Sequence, residues 1–296
     1  MPYPFWDPGV GYGILMATIA VIHVFVSHFA IGGGLYLVVV ERSARRRGDE
    51  ARLDFVKRLS KFFVLVTVVF GALTGVAIWF IIGLLNPAAT EALIHNFVWG
   101  WAIEWTFFVI EILAAMLYFY GWKRLSARHH MAIGWIYFAA AFLSLVVING
   151  IITFMLTPGT WLKTGAFWDG FFNPTYWPSL VFRTGICLLM AGIFALFVAS
   201  REKDDENRSP LIRLNAGWAV AGLAVAALSW LWYQGVLQSE GVWDAARDTL
   251  RLPLTAFNLG QMLTAVLLAA VVVLGFLLPK LYRPAVGLLV LVVGLA

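Results

Sequence analysis

The sequence predicts an all-α polytopic membrane protein, a bundle of seven or eight transmembrane helices with its N-terminus outside. Three observations predict it. Of 296 residues, 61% are hydrophobic and 12% are charged, a balance far from that of soluble domains. Apolar runs of roughly 20 residues, enough to cross a bilayer, recur along the chain. The basic residues gather in alternate connections, the signature of membrane topology rather than of a nucleic-acid surface.

In order, the spans are expected at about 10–40, 62–85, 97–120, 131–156, 176–199, 215–236 and 255–279. An eighth apolar run from Ala285 to Ala296 is too short to cross, so either the chain ends in the bilayer or the sequence is incomplete. The opening "MPYPFWDPGVG" has neither a basic region nor a cleavage site, so the first span is expected to stay. Of the 21 Lys and Arg residues, 17 lie between spans one and two (Arg42 to Lys61), three and four (Lys123 to Arg128), five and six (Arg201 to Arg213), or after span seven (Lys280, Arg283). The other connections hold only Lys163, Arg247 and Arg251, which puts them outside. No soluble domain interrupts the spans, so residues 1–296 read as one membrane domain. The lone Cys187 reads as a small core residue. The segment 157–178, rich in Pro, Gly and seven aromatic rings, suits a loop in the headgroup layer, an aromatic belt or a docking place for a quinol head or a partner. "GALTG", with Gly71 and Gly75 four apart, reads as a close-packing site.

Polar groups inside the spans carry the chemistry. In "WAIEWTFFVIE", Glu104 and Glu111 are seven apart, so they share one helix face about 10 Å apart along the axis. An ionised carboxylate is costly in hydrocarbon, so each is expected to be protonated, paired or near a metal. The spacing suits a two-station proton relay; the structural alternative is pairing with Arg183 or with hydroxyls. In "VIHVFVSHFAIGGG", His23 and His28 lie about halfway across, where haem iron is the partner that most often justifies an imidazole. Five residues apart, their rings diverge by some 140°, so they would serve two metals, or stand as hydrogen-bonded core histidines. Gly32, Gly33 and Gly34 would let a macrocycle or another helix approach. Arg183 lies some 12 Å deep and asks for an anion, a haem propionate or one of the glutamates. His95, His129 and His130 stand at interfaces, where a solvated histidine is ordinary; His95 and His130 are kept as cofactor-binding candidates.

The stretch "AIEWTFFVIEILAAMLYFYGWKRLSARHHMAIGW" resembles spans three and four of subunit I of cytochrome bd quinol oxidase. The carriers are Ala102-Ile103-Glu104, Glu111, Gly121-Trp122, Arg124-Leu125, His130-Met131 and Trp135, with His23 standing nine residues before Gly32. The resemblance holds over roughly residues 10 to 160. It implies a subunit that binds haem b (heme b) in the membrane, takes electrons from quinol and reduces dioxygen, with His23 an axial ligand and Glu104 and Glu111 proton-path or haem-neighbouring acids. Four departures qualify it. The glutamates stand one residue closer than in the family pattern, a turn of about 100° unless a π-bulge absorbs it. Span five offers no His, only Phe182 or Arg183, and the long quinol-binding loop is replaced by "LQSEGVWDAARDTLRLP". The family's later Met and Glu haem ligands are missing. The expectation is therefore a haem-b subunit of a respiratory complex in the prokaryotic inner (cytoplasmic) membrane. It would pass electrons between quinone and oxygen or a partner, either a second bd-like chain or a cytochrome c-type subunit. His28 or His95 would hold a relocated haem. The rival is a haem-free structural or proton-conducting subunit. A solute transporter is a third possibility, unsupported by any broken-helix repeat.

Overall fold

The computed structural model describes residue 9 and residues 11–245 and 254–295; Arg247 and Arg251 lie outside them. Among the described residues every regular element is a helix. The elements are α1 (Tyr12–Arg47), α2 (Glu50–Leu85), α3 (Pro87–Gly121), α4 (Ala127–Phe154), short α5 (Trp161–Thr164) and α6 (Phe167–Phe171), α7 (Tyr176–Ala199), α8 (Asp205–Ser239), α9 (Leu254–Val272) and α10 (Pro284–Leu295). Seven of these are long and apolar enough to span a membrane, and α10 is shorter. Helices suit this setting because each satisfies its own backbone hydrogen bonds where no water can.

The helices outrun the apolar spans. α1 continues to Arg47 and α2 already begins at Glu50, so the basic region between the first two spans is helical rather than a loop. Gly48 at φ 64° ends α1, and the Asp49 side chain accepts the Arg52 amide at 2.9 Å to start α2. Phe55, Val56, Leu59 and Phe63 form a buried stripe on that first part of α2, with the charges on its other face. α3 likewise starts ten residues before the expected 97, capped by Asn86 with Pro87 in its first turn, and kinks at Phe97 (φ −124°, ψ 29°). Between Glu104 and Glu111 it is regular α-helix, with no π-turn. A π segment does occur in α2, over Leu65–Gly71.

Small residues set the closest approaches. A Cβ at Gly185 would lie 2.5 Å from the Ala226 backbone nitrogen, one at Gly192 2.4 Å from that of Ala219, and one at Gly222 2.2 Å from that of Leu189, so α7 and α8 meet backbone to backbone. Gly32 of α1 abuts the Cys187 carbonyl of α7, while Gly33 and Gly34 face the rings of Phe63 and Tyr137. Helices and side chains, not an open slot, occupy that glycine face. Gly71 and Gly75 both face α1, against Val26 and His23. At the end of the bundle where the basic residues gather, buried Arg208 pairs with Asp205 and donates to the carbonyls of Glu202 (3.0 Å) and Lys280 (3.1 Å), tying the α7–α8 turn to the 3-10 turn Pro279–Leu281 between α9 and α10. At the other end Asn173 donates to Thr153 Oγ1 (2.9 Å) and the Gly170 carbonyl (3.0 Å), folding the aromatic segment back onto α4. Trp168, Phe172 and Trp177 stack on its exposed side.

Candidate functional site: a polar seam and two imidazoles

Glu104 accepts a hydrogen bond from Ser144 Oγ at 3.1 Å, and Glu111 lies 3.1 Å from the Tyr137 hydroxyl. Both glutamates are half-buried and face α4, so the heptad spacing does put them on one face. Their partners are hydroxyls; Arg183 reaches neither. Antiparallel packing repeats the contact one heptad further on, where the His130 ring lies 4.2 Å from the Tyr118 ring and His130 Nε2 donates to the Tyr118 carbonyl at 2.9 Å. Residues 104, 111 and 118 of α3 thus oppose 144, 137 and 130 of α4 as three polar rungs.

The third rung is the largest surprise. Glu41 of α1, 0% exposed, receives the Tyr118 hydroxyl (2.6 Å), His130 Nδ1 (2.9 Å) and Arg45 Nε (2.7 Å). His130, expected at a wet interface, is 1% exposed. Its ring nitrogens are both engaged within the protein, Nε2 with the Tyr118 carbonyl and Nδ1 with the Glu41 carboxyl group. Neither Glu41 nor Tyr118 was singled out from sequence. The available signal was the matched heptads, 104, 111, 118 against 130, 137, 144.

The two mid-membrane histidines can be read atom by atom. Thr74 gives its hydroxyl proton to the Phe70 carbonyl at 2.6 Å, so its oxygen accepts from His23 Nδ1 at 3.0 Å. His23 therefore carries its proton on Nδ1 and presents a bare Nε2, the tautomer a metal-ligating histidine needs. His23 is half-buried, and its ring lies against Gly75, where a Cβ would come within 3.2 Å of Cε1. His28 Nδ1 meets the Val24 carbonyl at 2.6 Å, which again leaves Nε2 bare, but the residue is 4% exposed. Arg183 donates from Nε to Ser179 at 3.2 Å, and among the described residues no carboxylate pairs with it. His95 stands apart, exposed on α3.

An iron porphyrin needs a ring nitrogen with a free lone pair, an open flank and a cation near its propionates. His23 meets the first two needs, with Nδ1 on Thr74 and its ring beside Gly75, so its donor chemistry is compatible with the group; Arg183 is a cation with no carboxylate partner among the described residues. The glycine face, filled by Cys187, Phe63 and Tyr137, does not fit the group. No cluster of three or more His, Cys, Asp or Glu residues able to hold a bare metal ion occurs among the described residues.

Fold and site together define a multi-pass membrane bundle whose interior is organised around buried acids and imidazoles. The model of the family described as cytochrome bd terminal oxidase subunit I matches residues 14–247, reaching beyond residue 160 through α7 and α8. This chain belongs to that family, which makes it a membrane subunit of the respiratory terminal-oxidase type. The fold agrees: a chain in the structure of bd oxidase from Geobacillus thermodenitrificans superposes with a TM-score of 0.80 at 15% identity, over 99% of this chain and 84% of that one. No curated protein sequence matches.

Proposed function

We propose that this chain is a haem-b-binding membrane subunit of a respiratory electron-transfer complex in a prokaryotic inner membrane, passing electrons between quinol and a partner subunit or dioxygen. The observation that carries this reading is His23, whose Nδ1–H is committed to Thr74 and whose Nε2 lone pair is left for iron. Bound haem would supply one-electron chemistry; the chain's own residues bind, orient and move protons. Thr74 fixes the His23 ring, Arg183 stands ready for a propionate, and His28 or His95 would ligate a second haem. Glu104 and Glu111 hold protons beside hydroxyls that relay them.

Tyr137 supports the relay by its hydrogen-bond balance. Its single hydroxyl proton has two acceptors in reach, the Ala30 carbonyl at 3.0 Å and Glu111 at 3.1 Å. With Glu111 protonated, the acid donates to the phenol oxygen and the phenol proton turns to Ala30; with Glu111 ionised, the phenol proton turns back. Other membrane subunits, a second bd-like chain or a cytochrome c-type protein, would complete the electron path, and no nucleic acid is involved.

A reduced-minus-oxidised spectrum of the purified chain tests the proposal: b-type bands are expected and are lost in His23→Ala. Bands that persist unchanged in that variant remove the ligand assignment. One observation favours a rival, a haem-free structural or proton-conducting subunit: protein fills the triglycine face. The absence of any haem band in the unaltered chain would select it. Unchanged haem stoichiometry in both His28→Ala and His95→Ala would dismiss a second haem on either.

A further inference from the structure

The Glu41 cluster has no part in the chemistry above, yet it is built from titratable groups. We propose that Glu41, His130 and Tyr118 form the entrance of a proton path that serves Glu111 from the basic end of the bundle. This deepens the reading of Glu111 as a proton station and rests on it, but not on haem.

Three observations carry the proposal. The first is access. Of the three side chains that meet Glu41, Tyr118 of α3 and His130 of α4 are sealed, whereas Arg45 of α1 is 28% exposed and lies across the Trp122 ring. One flexible side chain therefore separates a buried acid from water at the end where the basic residues gather.

The second is continuity. Close-packed interiors leave few voids as large as a water molecule, but two adjoin between this cluster and Glu111. One, with about 10 Å³ of room for the centre of a water, is lined by Tyr118, Gly34, Val38, Phe63, Ala115 and Tyr137, among others. The next, with about 20 Å³, is lined by Tyr137, Ala115, Thr67, Phe108 and Glu111, among others. Ala115 and Tyr137 form the wall common to both. Roughly 10–15 Å³ of such room holds one water if polar partners are present. The second void has them in Glu111, Tyr137 and the Thr67 oxygen, whose proton is already given to the Phe63 carbonyl at 2.9 Å. The first has only its two tyrosines, so it is the constriction that sets the rate.

The third is the Tyr137 hydroxyl, whose two acceptors let it pass a proton to Glu111 and reset by rotation. Along the path each hop forms one O–H or N–H bond and breaks another: water to Glu41, Glu41 to the Tyr118 oxygen as its own proton leaves, then a transient water, Tyr137 and Glu111. No electron moves.

The test is hydrogen–deuterium exchange at the Glu111 carboxyl in the full chain in lipid nanodiscs, followed by infrared spectroscopy with Glu111→Gln to assign the band. Tyr118→Phe keeps the ring against His130 and removes the hydroxyl; Ala115→Val narrows the common wall. Each is expected to slow exchange about tenfold, the effect of roughly 1.4 kcal/mol on one barrier. Leu113→Ala, on the exposed side of α3, is expected to leave the rate unchanged. Unaltered rates in both Tyr118→Phe and Ala115→Val, with helicity intact, would make the cluster a structural latch and overturn the proposal. A Glu111 proton that never exchanges in the unaltered chain would do the same. Haem content is scored separately, so its loss or absence bears on the proposed function and not on this path.

Discussion

Where α7 meets α8, a Cβ on Gly192 would sit 2.4 Å from the backbone of Ala219; where α3 meets α4, the helices face each other through Glu104, Ser144, Glu111, Tyr137, Tyr118 and His130. Both pairs are antiparallel neighbours with contacts one heptad apart, and both lie in the same bundle. The first gains its stability from dispersion between backbones in close contact, which leaves no room for a solvent or a proton. The second spends area on side chains that hydrogen-bond across the seam, and two water-sized voids open beside it. Close packing and buried polar contacts are thus assigned to different helix pairs, because polar side chains and free volume between helices both weaken packing.

Substitutions can break or sharpen that contrast. The largest effect is expected from Gly192→Leu, which must push α7 and α8 apart and should cost about 3 kcal/mol, read as a lowered unfolding midpoint in detergent. An unchanged midpoint would mean that backbone contact is not what holds the pair. Next comes Glu41→Gln, which takes the carboxylate from His130 and Arg45 and is expected to cost about 2 kcal/mol, less than complete loss of a buried partner because the amide still accepts hydrogen bonds. If it costs more than Gly192→Leu, the polar side is the stronger adhesive and the contrast is reversed. Ser144→Ala removes one hydrogen bond to half-buried Glu104 and is expected to cost about 1 kcal/mol. The smallest effect belongs to Arg58→Ala. Its 2.5 Å pair with Glu202 joins α2 to the α7–α8 turn, but the Arg58 side chain is 50% exposed, so about 0.5 kcal/mol is expected, falling further at high salt.

Some features of the site were readable in the chain and others were not, for identifiable reasons. Glu104 and Glu111 were legible because an acid inside an apolar run violates the cost of charge in lipid, and their common face follows from helical pitch. His23 was legible for the same reason. Glu41 was not: it stands at the start of "ERSARRR", where a charge beside a span reads as solvated. Its burial depends on α1 running on to Arg47 and on which residues of α3 and α4 come level with it. His130 was misplaced for a related cause, since an early position on a helix says nothing of what packs over it.

Sequence by itself determined the membrane class, the seven spans and the shared face of the two acids. These are local properties, set by hydropathy, helical pitch and the energy of a charge in hydrocarbon. Tertiary structure alone decided which helix each acid faces, the tautomer of His23, the burial of the Glu41 cluster, and that protein fills the glycine face. Those depend on the register between helices, which arises from contacts among residues far apart in the chain and has no signature in any one segment.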